Sequence, residues 1–88
     1  MNPKIEGKLV SKALRIDELN RETRKTIVRN DFKKLFHQFG EFEELKKDIK
    51  SLLMHFPVAK IHDQKAKNII RKISLGEFLM VVKYPSKN

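Results

Sequence analysis

The chain has 88 residues, with 20 Lys and Arg against 11 Asp and Glu, a net charge of +9 and a pI near 10. That length sets a single domain with a modest core. The absence of Cys excludes disulfides and thiolate metal sites, and no apolar run approaches the ~18 residues that span a bilayer.

Residues 1–4 are expected to be frayed. From Ile5 onward, Leu9, Ala13 and Ile16 with Val10 and Leu14 give an apolar face, and Lys4, Lys8, Lys12 and Arg15 fall on the opposite one. This spacing predicts an amphipathic helix with a basic stripe, weakened by Gly7. Asp17 reads as an N-cap or local break. The run Glu18 to Arg29 is dense in helix formers and charge but thin in apolar residues, and Asn30-Asp31 is its natural interruption.

The stretch Phe32 to Phe56 holds five of the six phenylalanines and carries the strongest core signal. Phe32, Leu35, Phe36 and Phe39 recur at i, i+3, i+4 and i+7. Phe42, Leu45, Ile49, Leu52, Leu53 and Phe56 form a second stripe. Gly40 separates the two and predicts a helix end, because glycine tolerates the left-handed conformation of a helix terminus. The expected arrangement is a tight corner or hairpin of two helices, with one long helix kinked at Gly40 as the alternative. Leu45, Ile49, Leu52 and Phe36 are expected to be nearly fully buried. Pro57 closes the second helix.

Pro57 to His62 reads as a connection, and Asp63 can cap the helix that follows. There Ala66, Ile69, Ile70 and Ile73 make an apolar stripe. The opposite face holds Gln64, Lys65, Lys67, Asn68, Arg71 and Lys72 with no acid after Asp63. Cations mixed with amides suit phosphates and base edges, although a basic solvated face has the same pattern. Ser74-Leu75-Gly76-Glu77 fits a capping box before the apolar run 78–82. Residues 77–84 read as a short helix with a buried strand as the alternative, and 85–88 are expected to fray.

The charge is unevenly placed. Residues 1–40 carry 10 basic and 5 acidic side chains, 41–57 carry 3 and 4, and 58–88 carry 7 and 2. The positive field therefore lies on the two flanks, which favours nucleic acid, an acidic protein surface or an anionic membrane. Lysine-rich composition also serves solubility. His37, His55 and His62 lack the spacing that puts two ligands on one helix face. No Walker loop, dinucleotide fingerprint or nucleophile elbow is present. A helix-turn-helix register fails at Gly40, where Phe36 takes the small-residue position, and at Gly76, where Lys72 does. No aromatic residue is read as interleaved with the basic flanks, which argues against stacking of single strands.

These observations predict a single all-α domain of four to six short helices around the Phe32–Phe56 pair. The expected function is non-catalytic nucleic-acid binding, mainly by phosphate contacts from Lys65, Lys67, Asn68, Arg71 and Lys72 together with Lys4, Lys8, Lys12 and Arg15. The alternative is a protein-interaction module, a small regulator or inhibitor docking on a larger partner. No metal, cofactor or small-molecule substrate is implied, a membrane role ranks below both readings, and the expected setting is cytoplasmic.

Overall fold

The computed structural model describes residues 3–75. They form three α-helices, α1 (Pro3–Arg29), α2 (Phe32–Leu53) and α3 (Gln64–Ser74), with a 3-10 turn at Val58–Lys60 between the last two. The chain is all-helical over these residues, with fewer and longer helices than the four to six expected. Residues 77–84 and 85–88 lie outside the described residues.

Helix α1 starts at Pro3 and so includes two residues expected to fray; proline's fixed φ suits a first helical turn. It also passes through Asp17 without a break. The Asp17 carboxylate is taken by side chains, Arg21 one turn on at 2.5 Å and Lys65 of α3 at 3.3 Å. The buried series Leu9, Ala13, Ile16, Leu19, Thr23 and Thr26 keeps one face of α1 inward along nearly its whole length.

The turn at Asn30-Asp31 falls where its residue types place it. Asn30 has φ 56°, the left-handed conformation that asparagine tolerates. Its N–H donates to Ile27 O at 3.1 Å and the Asp31 N–H donates to Thr26 O at 3.3 Å, the paired bonds of a Schellman helix end. Asp31 then caps α2, its Oδ1 accepting from the Lys34 N–H at 3.1 Å.

Helix α2 continues through Gly40, contrary to the expected hairpin there. Helical phase then decides which of its residues are buried. At about 100° per residue, Phe42 lies roughly 280° around from Phe32, and Ile49 roughly 260°. In one continuous helix the two apolar stripes cannot both face α1. The lower stripe wins: Phe42 and Ile49 are buried, together with Gln38, whereas Phe32 is 68% exposed and Phe36 77% exposed. The expected burial thus holds for Ile49, is partial for Leu45 and Leu52, and fails for Phe36. An interior glycine costs about 1 kcal/mol relative to Ala, less than the burial of either Phe42 or Ile49 contributes at ~1.5–3 kcal/mol each.

Helix α2 ends at Leu53, short of Pro57, and Phe56 enters the core from the connection that follows. Asp63 caps α3, its Oδ1 accepting from the Ala66 N–H at 2.9 Å. Ala66, Ile69, Ile70 and Ile73 pack α3 against the rest of the core, chiefly α1. Ser74 is the last residue of α3 and Leu75 caps it. The apolar core therefore joins Leu9, Ala13, Ile16 and Leu19 to Phe42, Ile49, Phe56 and Ile61 and to the α3 stripe. Towards the Asn30-Asp31 turn it gives way to polar packing. There the Thr23 and Thr26 hydroxyls donate to their own helix at Leu19 O (2.8 Å) and Glu22 O (3.0 Å).

Candidate nucleic-acid interface

The N-terminal basic stripe divides into two parts. Lys4 and Lys8 are exposed. Lys12 reaches across the hairpin to Asp48 at 3.1 Å. Arg15 forks onto Glu41 of α2, with Nε 2.6 Å from Oε2 and Nη2 2.9 Å from Oε1. Its Nη1 also meets Glu18 at 2.8 Å and Glu22 at 3.0 Å. The hydrogen bonds that Arg15 donates to Glu41, then to Glu18 and Glu22, raise its pKa above the ordinary value. Glu41 is held below the usual carboxylate range by the same fork, against the opposing effect of burial. Lys12 and Arg15 are thus engaged in tying α1 to α2.

On α3 the cations are placed differently. Lys65 pairs with Asp17, and the Gln64 amide donates to Asn68 Oδ1 at 2.9 Å. Burial raises the Asp17 pKa, but hydrogen bonds from Arg21 and Lys65 outweigh it and leave the group below its ordinary value. Lys67 is half-buried. Arg71 and Lys72 are exposed and form no ion pair among the described residues. At the start of the helix, His62 donates its backbone N–H to Glu6 at 2.8 Å, and its ring Nδ1 lies 2.9 Å from the same carboxylate. These contacts lower the Glu6 pKa, the backbone bond most.

A third basic surface, outside the sequence-based set, lies at the α1–α2 turn. Arg24, Lys25, Arg29, Lys33 and Lys34 are exposed there and none is ion-paired among the described residues. Asp31 is the single acid between residues 24 and 40, and its carboxylate caps the backbone of α2. Among these cations stand Val28, Phe32 and Phe36, all largely exposed. A cleft of about 260 Å³ opens beside Phe32, walled by Ile27, Phe32, Leu35 and Phe39. The acids Glu43 and Glu44 mark the lower edge of this field, and Glu41 and Glu22 are already occupied by Arg15. Sequence reasoning missed the surface because it assigned Phe32 and Phe36 to the core; the phase offset between the two α2 stripes was the available signal.

The chain matches no known protein family, curated protein or solved structure. No helix among the described residues is long and apolar enough to cross a membrane. No cluster of three or more His, Asp or Glu side chains among them could hold a metal ion.

Proposed function

We propose that this is a non-catalytic nucleic-acid-binding protein held to its ligand mainly by phosphate contacts. The observation that carries the reading is the partition of the cations. Lys12 and Arg15, which bridge α1 to α2, are neutralised by acids of the same chain. Those at the closed end of the hairpin, Arg24, Lys25, Arg29, Lys33 and Lys34, and Arg71 and Lys72 on α3, have no ion-pair partner among the described residues. Cations left free on acid-poor surfaces neutralise phosphates and release condensed counterions, which makes affinity fall linearly in log–log form with salt.

The test is a titration of labelled oligonucleotides over a salt series. Changing Lys33 and Lys34 to Ala should weaken binding and reduce the salt slope by about one to two units. Binding that is absent even at low salt would sink the reading. The exposed Val28, Phe32, Phe36 and Met54 support a second one, a protein-interaction module. Such docking would show weak salt dependence and a negative heat-capacity change.

A further inference from the structure

Resting on that reading, we infer that the ligand at the hairpin end is single-stranded nucleic acid, with bases stacked on Phe32 and Phe36. The two rings project from α2 one turn apart and are 68% and 77% exposed. Four residues at about 1.5 Å each separate them by about 6 Å along the axis. Neighbouring nucleotides of a duplex strand are spaced by about 3.4 Å, and their base faces are already stacked on one another. A duplex therefore offers these rings nothing to cover, whereas an extended single strand can lay successive bases on both. Lys33 stands three residues before Phe36 on neighbouring helix positions, and both line one open depression together with Lys34, so cations for the backbone lie beside an aromatic face for the bases. The cleft walled by Ile27, Leu35 and Phe39 adds apolar surface next to Phe32.

Charge complementarity selects this occupant over a second copy of the chain. A two-fold contact through the same surface would set Arg24, Lys25, Arg29, Lys33 and Lys34 against their own counterparts with only Asp31 between. A polyanion with exposed apolar faces satisfies both halves of the surface at once.

The experiment measures the anisotropy of a labelled mixed-sequence single strand and of the same strand annealed to its complement, with the wild type and with Phe32→Ala, Phe36→Ala and Phe36→Trp. Circular dichroism confirms that each variant is folded. The single strand should bind more tightly than the duplex. Each Ala variant should weaken single-strand binding by at least about fivefold, from ~1 kcal/mol per stacked base, and change duplex binding by less than about twofold, while Phe36→Trp should retain affinity. Equal affinity for both forms, or equal loss on both, would overturn the stacking and leave phosphate binding standing. Absence of binding to either form would overturn both readings. So would Phe-dependent capture on phosphatidylserine vesicles, or Phe-dependent dimerisation in sedimentation, where oligonucleotide binding is absent.

Discussion

Arg15 and Glu41 lock the two long helices together through a two-pronged contact, Nε to Oε2 at 2.6 Å and Nη2 to Oε1 at 2.9 Å. The Glu41 pKa is lowered in the folded protein, so its contribution is fully present above the ordinary glutamate range and fades as the pH falls through the lowered value. Glu41→Gln should therefore cost stability at neutral pH and flatten the acid limb of the stability curve. Both partners remain partly solvated, at 32% and 41% side-chain exposure, which holds the expected loss to about 1 kcal/mol. Urea melts between neutral and acid pH check this; an acid limb unchanged in Glu41→Gln would remove Glu41 as its source.

Gly40 lies inside α2, and a Cβ added there meets nothing within 4 Å. Gly40→Ala should raise stability by roughly 0.5–1 kcal/mol, because alanine loses less backbone freedom in a helix. Were Gly40 the turn of a helical hairpin, the same change would destabilise. The shift in the urea midpoint distinguishes the two directly.

Ile49 and Phe36 invert the ordinary expectation that the larger apolar side chain matters more. Ile49 is fully buried and Phe36 largely exposed. Ile49→Ala should cost about 2–5 kcal/mol, whereas Phe36→Ala should change stability by less than about 0.5 kcal/mol. Thermal melts of the two variants side by side test the assignment, and a large loss in Phe36→Ala would place that ring back in the core.

What the sequence made legible follows from how local each signal is. Asp63 as the cap of α3, Asn30-Asp31 as the turn, and the stripe Ala66, Ile69, Ile70 and Ile73 are set by contacts within one or two turns, and they stand where their residue types put them. Where α1 runs through Asp17 and α2 through Gly40, the contacts come from residues distant in sequence, Lys65 on Asp17 and Arg15 on Glu41, which no local signal shows. The candidate site suffered the same way. Lys12 and Arg15 read as a free basic stripe until Asp48 and Glu41 are brought across from α2. The aromatic end of the hairpin emerges once Gly40 is known to be helical, since only then do Phe32 and Phe36 rotate away from α1.

The two cationic surfaces named from the sequence should now separate by experiment. Lys12 and Arg15 are bound to acids of the same chain, so changing both to Ala should lower stability, leaving Asp48 and Glu41 without their partners, and should leave the salt slope of oligonucleotide binding nearly unchanged. Arg71 and Lys72 are exposed on α3, away from its buried isoleucines. Changing both to Ala should preserve folding to within about 0.5 kcal/mol per site, while lowering affinity and flattening the salt slope by roughly one to two units. The measurement is a salt series on each double variant alongside its urea melt. Equal losses of affinity from both pairs would mean that total charge alone governs binding, and the division between engaged and available cations would have to be given up.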